Sequence, residues 1–344
     1  MPKSLISHKK WRSNWIKSIQ SIHHENEFER SLKILHSLQI QNNVEIRRLA
    51  SSPPTPFSSW KNIPALPQKL FKTLSLLSPH ESRIEFHTSG TTTGSPGIHR
   101  MRDEQIYKAV ALGGCPWRNQ APFTLLSLHP DQMSAPHSSL SFMLDHWMKA
   151  YGSKYSRHYF QGSKIDAEKL WNDLPLILKK SKRPILIAGT AFSFVHLFDE
   201  WGKNRKTTLP PHTILMETGG YKGRSRELPK KELYQLIQKH FGVDDTQIWN
   251  EYGMTELLSQ AYSKGHGIFY CPPWMKILIR DTNDPFTILK DNKTGGINVI
   301  DLANINSCSF IATQDLGRSF SDNSFEVLGR FDNSDIRGCN LLVG

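Results

Sequence analysis

The sequence lacks the features that mark several common classes of protein. No apolar run approaches the roughly 20 residues that a membrane-spanning helix needs. The basic segment 1–20 has no continuous apolar stretch and no small-residue cleavage site, which argues against a secretory signal. No internal repeat or low-complexity tract is present. With 38% hydrophobic and 22% charged residues, the composition is that of a folded protein rather than a disordered one.

Cysteine is scarce, and its spacing excludes three kinds of site. The four cysteines, Cys115, Cys271, Cys308 and Cys339, lie far apart and form no CxxC pair. This spacing argues against a zinc module, a dithiol redox motif and a disulfide framework. We therefore expect a reduced, cytoplasmic environment. We interpret Cys115, Cys271 and Cys308 as structural.

The positive charge of the chain is unevenly distributed. The net charge is +12. Residues 1–80 contain twelve Lys and Arg residues and four Asp and Glu residues. Residues 281–344 contain five Lys and Arg residues and nine Asp and Glu residues. A basic front part attracts nucleic acid, a lipid surface, an acidic protein or nucleotide phosphates. No zinc-finger spacing, basic zipper or RNA-binding aromatic motif accompanies the charge, so we predict no nucleic-acid partner.

The pattern of apolar residues predicts an α/β fold. Residues 28–49 have the spacing of an amphipathic helix. From about residue 84, short apolar runs alternate with helical stretches, which is typical of a largely parallel sheet. The clearest helix is predicted at 227–241, with Ser225 as N-cap, Pro229 in the first turn and Gly242 at its end. The runs that predict strands lie at 123–128, 184–188, 213–216 and 247–250.

After residue 270, short runs separated by Gly, Asn and Asp predict an antiparallel β lobe. Its candidate strands are 275–280, 286–289, 297–302, 308–313 and 325–329. A length of 344 residues is typical of a chain with about two domains. We expect a basic helical segment (1–60), an α/β core (61–270), a β-rich lobe of the same domain (271–330) and a short C-terminal segment (331–344). The apolar positions of the first segment would pack on its own domain, or contact a partner or a membrane surface peripherally.

The strongest local motif is the loop TSGTTTGSPG at 88–97, which follows the strand-like run IEFH. Glycines allow backbone amides to approach a ligand closely, and the hydroxyls add further donors, so the loop suits phosphate. It is not a Walker loop, because no Gly-Lys-Ser/Thr ends it. A plain surface loop remains the alternative at this point.

Three weaker motifs follow. NEYGMTE at 250–256 comes after a predicted strand and combines an aromatic ring, a hydroxyl and a carboxylate, which suit a base, a phosphate and Mg²⁺. TQDLG at 313–317 and GRFD at 329–332 offer a carboxylate and a guanidinium for ribose or phosphate. Each fragment taken alone also suits a helix start or a turn.

The order of these motifs resembles the adenylate-forming superfamily of acyl-CoA synthetases, firefly luciferase and nonribosomal adenylation domains. The resemblance covers about residues 60–339 and is nearest to the acyl-protein synthetases of the LuxE type. The stretches that carry it are IPALP at 63–67, SSLSFM at 138–143, METGGYKG at 216–223, WNEYGMTELLSQAY at 249–262 and GRFDNSDIRGCNLL at 329–342. The expected fold is the large N-terminal domain of this superfamily, layered α/β with a β-rich lobe, without most of its mobile C-terminal lid.

The resemblance implies roles for individual residues in binding ATP. The phosphate loop would comprise Thr88, Ser89, Gly90, Thr91, Thr92 and Gly94. The adenine would contact Gly219 and Gly220 and stack on Tyr252. The ribose would bind Asp315 and its neighbour Arg330.

The resemblance also implies the catalytic residues and the reaction. Thr255 would contact the α-phosphate, Glu256 would bind Mg²⁺, and Cys339 would accept the acyl group. ATP would activate a carboxylic acid, expected to be a fatty acid, as acyl-AMP, and a protein thiol would take the acyl group as a thioester. An acyl reductase or an acyl-carrier protein is the expected partner. Two alternatives are a CoA ligase of the phenylacetate type and a non-catalytic acyl or nucleotide carrier.

Several further residues are candidates for supporting roles. The phosphate loop is followed by His99 and Arg100 where the superfamily has a lysine, so one of these, or Lys222 or Arg224, would supply a cation. His129 and His137 would line the acyl pocket or be ordinary histidines. We expect Phe142, Met143 and Trp147 to pack in the core.

Overall fold

The computed structural model describes residues 9–50, 59–77, 81–88, 95–162, 164–219 and 228–330. The helices, in chain order, are α1 (Lys9–Gln20), α2 (Glu25–Asn42), α3 (Val44–Ala50), α4 (Gln105–Gly114), α5 (Ser139–Tyr151), α6 (Ala167–Lys180), α7 (Ala191–Trp201) and α8 (Lys230–Phe241). The strands are β1 (Leu66–Pro67), β2 (Ile84–His87), β3 (Ile98–Met101), β4 (Thr124–Ser127), β5 (Arg157–His158), β6 (Phe160–Gln161), β7 (Lys164–Ile165), β8 (Ile185–Thr190), β9 (Ile214–Thr218), β10 (Ile248–Tyr252), β11 (Ala261–Lys264), β12 (Ile268–Tyr270), β13 (Met275–Arg280), β14 (Gly295–Asp301), β15 (Phe310–Ser319) and β16 (Ser324–Arg330).

One twelve-stranded sheet organises the structure, and its two halves differ in strand direction. In the order β10-β9-β8-β4-β5 all neighbours are parallel, as the apolar runs predict. In the order β13-β14-β15-β16-β12-β11-β10 all neighbours are antiparallel. The predicted α/β fold with antiparallel strands after residue 270 is therefore confirmed. The two halves join at β10.

Helices cover both faces of the parallel half. Helices α4 and α5 pack on one face, where Phe142, Met143 and Trp147 are buried in the core as predicted. Helices α6, α7 and α8 pack on the other face around Phe194 and Phe241. Strands β8 and β9 are buried on both sides, which explains why their sequences are largely apolar.

The two N-terminal helices α1 and α2 pack against the antiparallel half of the sheet. Ile19 is fully buried, and the indole of Trp15 donates a hydrogen bond to the carbonyl oxygen of Leu302 at 3.1 Å. From α2, the Gln39 amide donates to the carbonyl oxygens of Asn304 and Ser307, at 3.0 and 3.3 Å. The apolar face of the basic segment thus packs on its own domain.

The prediction of one continuous helix over 28–49 is wrong in one respect, because the helix is interrupted at Asn43. This residue is extended (φ −130°, ψ 117°), and its side-chain oxygen accepts hydrogen bonds from the amides of Glu45 and Ile46. Asparagine competes with the helix backbone in this way and so begins a new helix, α3.

Two other element predictions need correction. The helix predicted at 227–241 begins at Lys230, with Pro229 at the cap position, and Ser225 lies outside the described residues. It ends as predicted, because Gly242 adopts the left-handed conformation (φ 60°). The strand predicted at 286–289 does not form, since Asp284 instead accepts hydrogen bonds from the Phe286 amide and the Thr287 hydroxyl in a turn.

No helix within the described ranges combines the length and the hydrophobicity required to cross a bilayer.

A buried polar cluster fixes the turn that follows β10, residues 253–260, hereafter the site turn. Asp301, fully buried at the end of β14, accepts hydrogen bonds from the backbone amides of Leu258 and Ser259, both at 2.9 Å, and from the Ser259 hydroxyl at 2.7 Å. The Asn304 amide donates to the carbonyl oxygen of Glu256 at 2.6 Å. His99 Nδ1 donates to the carbonyl oxygen of Thr255 at 2.7 Å. Backbone groups that would otherwise be buried unpaired are thereby satisfied.

We expect Asp301→Ala to destabilise the fold by roughly 3 kcal/mol or more, because it leaves several buried donors without an acceptor. Urea unfolding would measure the change in the free energy of unfolding. The matched control is Asp199→Ala, at an exposed position on α7, which should change it by less than about 0.5 kcal/mol. Equal effects of the two substitutions would contradict a clamping role for Asp301.

Candidate functional site

The site begins at the carboxyl ends of the parallel strands β9 and β10. Thr218, the last residue of β9, lies opposite Glu251 of β10 in the parallel register. Gly219 follows with φ 65°, a conformation that disfavours residues with a side chain, and open space lies where its Cβ would be. Gly219 therefore presents bare backbone at the edge where α/β sheets bind ligands. Gly220 lies outside the described residues.

Tyr252, Asp315 and Arg330 come together, although they are up to 78 positions apart in the sequence. The Tyr252 hydroxyl donates to Asp315 Oδ2 at 2.8 Å. Arg330 Nε lies 3.2 Å from Asp315 Oδ1, across the β15–β16 ladder in which the two residues are register partners. The Tyr252 ring is only 9% exposed and packs edge-on against Phe269 and Phe325.

The electrostatics of Asp315 suit an acceptor for hydroxyl groups. The Asp315 side chain is largely buried, and burial raises the pKa of its carboxyl group, whereas the nearby Arg330 and Arg280 guanidinium groups act in the opposite direction. Each carboxylate oxygen has one described partner, and a carboxylate has about four lone-pair sites. Asp315 can therefore accept further hydrogen bonds.

The base of the predicted phosphate loop is closed by Thr88 and Gly97. The Thr88 amide donates to the Gly97 carbonyl oxygen at 2.9 Å, and the Gly97 amide donates to Thr88 Oγ1 at 2.8 Å. The Thr255 hydroxyl lies 3.5 Å from the carbonyl oxygen of the preceding residue, His87. The site turn and the base of the loop are thus adjacent. The other predicted loop residues lie outside the described part of the chain, namely Ser89, Gly90, Thr91, Thr92 and Gly94.

Glu256 lies in the site turn and not at the start of a helix. Its side chain is 4% exposed, and Gln68 donates to its Oε1 at 3.1 Å. The Gln68 side-chain oxygen accepts from the amide of Gln314, next to Asp315, at 3.4 Å. Gln68, which the sequence did not single out, therefore connects Glu256 to strand β15.

Glu256 fits a magnesium site in which a single protein carboxylate acts together with phosphate oxygens and water. Among the described residues, no group of three or more His, Cys, Asp or Glu side chains could enclose a metal ion. Mg²⁺ commonly binds through one or two carboxylates together with phosphate oxygens and water. A single carboxylate beside a phosphate loop is compatible with that arrangement.

The expectation that His99 could supply a cation is wrong, and Arg100 is held in an ion pair. His99 is fully buried in the cluster beneath the site turn, and burial lowers its pKa to about 4, so the ring is neutral. Arg100 Nε forms an ion pair with Glu85 at 2.8 Å. Both residues hold β3 in place instead. The other two candidates, Lys222 and Arg224, lie outside the described residues.

His129 and His137, the two candidate acyl-pocket histidines, differ in their surroundings. Burial lowers the pKa of His129 to about 4, and its Nε2 lies 3.2 Å from the Ser138 hydroxyl. His137 is exposed and stacks on His87, with ring centroids 4.1 Å apart. His137 Nδ1 donates to the carbonyl oxygen of Glu85 at 3.1 Å. His137 thus lies at the base of the predicted phosphate loop, and His129 is held within the fold.

The cysteines inside the described ranges are poor nucleophiles. Cys115 and Cys308 are buried, and burial raises the pKa of each thiol to about 12. Cys271 is half-buried, and its pKa is also raised by burial. Because the thiolate is the reactive form, these three remain unreactive thiols near neutral pH. Cys339 lies outside the described residues.

Two buried carboxyl groups next to the site were not anticipated from the sequence. Glu217 of β9 accepts a hydrogen bond from Asn250 and lies 3.8 Å from Lys230 Nζ, and burial raises its pKa. Glu251 of β10 accepts a hydrogen bond from Thr218, and burial raises its pKa to about 7. The only signal in the sequence was the presence of acidic residues within otherwise apolar strands.

Solved structures establish what this fold resembles. ATP-bound MatB from Rhodopseudomonas palustris superposes with a TM-score of 0.51 at 14% identity, over 72% of this chain and 47% of that protein. An open conformation of 2-hydroxyisobutyryl-CoA ligase, in complex with 2-HIB-AMP and CoA, gives a TM-score of 0.65 at 12% identity. The match covers 90% of this chain and 70% of that protein. At these identities the likeness concerns the fold. The chain spans about half the length of MatB.

Sequence comparison places the chain in a family. No curated protein matches it. The family model described as acyl-protein synthetase, LuxE, matches residues 57–344, which include the phosphate loop, the site turn and the predicted acceptor Cys339. This match covers most of the chain and confirms the resemblance on which the motifs were assigned. The chain therefore belongs to the LuxE acyl-protein synthetase family.

Proposed function

We propose that this protein uses ATP to activate a carboxylic acid, expected to be a fatty acid, and transfers the acyl group to a protein cysteine as a thioester. The observation that carries the proposal is the convergence of Tyr252, Asp315 and Arg330 with the site turn and the loop base. In a member of this family, that arrangement offers contacts for a ribose, a base and phosphates in one place. The structures of ATP-bound MatB and of 2-hydroxyisobutyryl-CoA ligase with 2-HIB-AMP, which share this fold, support it.

The nucleotide would lie across the carboxyl ends of β9 and β10. Gly219 would border the base, and the ring of Tyr252 would contact its face. The ribose hydroxyls would donate to Asp315, which Arg330 and the Tyr252 hydroxyl hold in position. Thr255 and the loop that begins at Thr88 would donate to the phosphates. Glu256 would bind Mg²⁺, which offsets the negative charge of the phosphate oxygens.

The reaction would proceed in two displacements. A carboxylate oxygen of the acid attacks the α-phosphorus, and the bond from that phosphorus to the β-phosphate bridging oxygen breaks, giving acyl-AMP and pyrophosphate. A thiolate sulfur then attacks the acyl carbon, the bond to the AMP oxygen breaks, and AMP leaves. The thiol proton is lost to solvent before the attack.

Cys339 is the proposed acceptor within the chain. The other three cysteines are held as unreactive thiols, and Cys339 follows Arg337 and Gly338, where a nearby guanidinium would favour the thiolate. A partner acyl reductase or acyl-carrier protein would then receive the acyl group.

The first test is pyrophosphate release from ATP and Mg²⁺ with acids from acetate to palmitate and benzoate, followed by intact-protein mass. We expect acid-dependent release and a mass gain equal to the acyl group, which is lost in Cys339→Ala. Cys271→Ala is the matched control and should retain the mass gain, because Cys271 is half-buried with a raised pKa. Pyrophosphate release with acyl-CoA formation and no adduct would identify a CoA ligase instead. ATP binding without release would identify a carrier.

A second prediction concerns the ribose contact. We expect Asp315→Asn to weaken ATP binding about tenfold or more, because hydrogen bonds to a charged acceptor contribute about 1.5–3 kcal/mol each. Equilibrium binding of ATP measures this without turnover. The control is Asp322→Asn, in the exposed turn of the same β15–β16 hairpin, which should bind ATP as the wild type does. Unchanged ATP affinity in Asp315→Asn would contradict the proposed role.

A further inference from the structure

Three segments of the chain meet at the amino end of strand β4. The Thr124 hydroxyl lies 2.8 Å from the Ser153 hydroxyl and 2.9 Å from the Ser181 hydroxyl. The backbone adds further contacts. The Thr124 amide donates to the carbonyl oxygen of Pro184, and the Ser153 amide donates to that of Phe123, both at 2.8 Å. The residues next to Ser153 and those around Ser181 are thereby held side by side.

This junction carries a concentration of exposed positive charge. The three segments that meet here, 118–125, 148–156 and 176–185, contain no Asp or Glu. Asp145 and Asp173, which precede the last two segments, each bond to a side chain of strand β5. Five exposed cations, none of which forms an ion pair with a residue that the structure describes, are hereafter the basic edge: Lys154, Lys179, Lys180, Lys182 and Arg183.

The stability of helix α6 accounts for only part of this charge. Lys179 and Lys180 lie in the last turn of α6, where the helix dipole favours cations. Lys182 and Arg183 lie beyond the end of the helix, and Lys154 belongs to another segment. Like charges so close together repel one another, and no acid of the same segments offsets them. This is the pattern expected of a surface that meets an anion.

The basic edge and the proposed nucleotide site lie at opposite edges of the sheet. Strands β4, β8, β9 and β10 are parallel, so their amino ends share one edge and their carboxyl ends share the other. Thr124 is the first residue of β4, whereas Gly219 and the site turn follow the last residues of β9 and β10. The basic edge is therefore not a contact for the phosphates of ATP. A carrier protein docked on it would present its acyl group on the far side of the sheet from the site.

The chemistry of the basic edge fits a lipid surface. Four of its five cations are lysines, whose compact charges suit many headgroup positions rather than one bidentate contact. Leu176 is 48% exposed and shares a face of α6 with Lys179 and Lys180, since positions i, i+3 and i+4 of a helix are neighbours. An exposed apolar residue beside lysines is typical of helices that lie in the membrane interface.

We propose that the basic edge binds the anionic surface of a membrane peripherally, with Leu176 in the headgroup layer and the cations beside lipid phosphates. This inference goes beyond the proposed function and does not depend on it. The orientation leaves the carboxyl ends of the parallel strands facing solvent, where ATP can reach them. It also keeps the protein at the surface into which long-chain acids partition.

Sedimentation with lipid vesicles tests the inference on the full chain, without ATP or acid. One vesicle contains equal parts of phosphatidylglycerol and phosphatidylcholine, and the other contains phosphatidylcholine alone. We expect binding to the anionic vesicle at about 0.05 M salt and release as the salt concentration rises, because salt screens exposed charges. Absence of binding to the anionic vesicle, or equal binding to both vesicles, would overturn the inference.

Matched pairs of substitutions locate the contact. Lys182→Gln with Arg183→Gln should lower the partition coefficient about thirtyfold, because each basic residue near an anionic leaflet contributes about fivefold. Lys290→Gln with Lys293→Gln removes the same charge from an exposed turn of the antiparallel half, and should lower it less than about twofold. Equal effects of the two pairs would contradict a contact at the basic edge.

A second variant guards against a loss of folding. Lys154→Gln with Lys179→Gln changes two other members of the basic edge and should give a similar loss of binding. Far-UV circular dichroism shows whether each variant is folded. Lys9→Gln with Lys10→Gln tests the basic helix α1 in the same assay and should retain binding. Loss of binding in that pair alone would place the contact at α1 and overturn the proposal.

A last comparison distinguishes lipid from other anions. Leu176→Ser should weaken binding to the anionic vesicle about threefold, because it removes the side chain that enters the headgroup layer. The same substitution should leave binding to polyglutamate and to duplex DNA unchanged, since neither offers an apolar layer. If the wild type binds polyglutamate or DNA as tightly as the anionic vesicle at the same salt concentration, the assignment to a membrane is overturned.

Discussion

The hydrogen bonds that Asp301 accepts from the site turn are the interaction on which the rest of the site depends. The turn joins the parallel half of the sheet to the antiparallel half, and it carries Thr255 and Glu256 on a segment without helix or strand. A loop of this kind would ordinarily vary in position. Here its backbone forms hydrogen bonds with three buried side chains, those of Asp301, Asn304 and the neutral His99. The site residues are thereby held by buried, satisfied polar groups.

Strand β10 places two consecutive polar side chains on opposite faces of the sheet. Tyr252 contacts Asp315 on one face, and Glu251 accepts a hydrogen bond from Thr218 on the other. The reacting groups would meet beyond the end of the strand, where the site turn lies.

The sequence predicted most of the sheet because burial on both faces produces continuous apolar runs, as at 184–188 and 213–216. It predicted the end of α8 because Gly242 needs the left-handed conformation. It predicted the grouping of Tyr252, Asp315 and Arg330 only through family resemblance, since no local pattern reports a contact across 63 residues. It failed at Asn43, where a side chain competes with the helix backbone, and at His99, whose neutrality results from burial by distant segments. The protonation of a buried group depends on long-range packing, which periodicity does not report.

The family match begins at residue 57, but the folded unit extends further towards the N-terminus. Gln39 forms hydrogen bonds with the segment 304–309, which adjoins Asp301 and contains Asn304, and Trp15 is bonded to Leu302. Helices α1 and α2 therefore support the same segment that holds the site turn from below. The homologous region and the packed hydrophobic core therefore begin at different residues in this protein. Sequence divergence in α1 and α2 would thus be expected to alter the geometry of the proposed nucleotide site, although none of the described residues of that site lies in either helix.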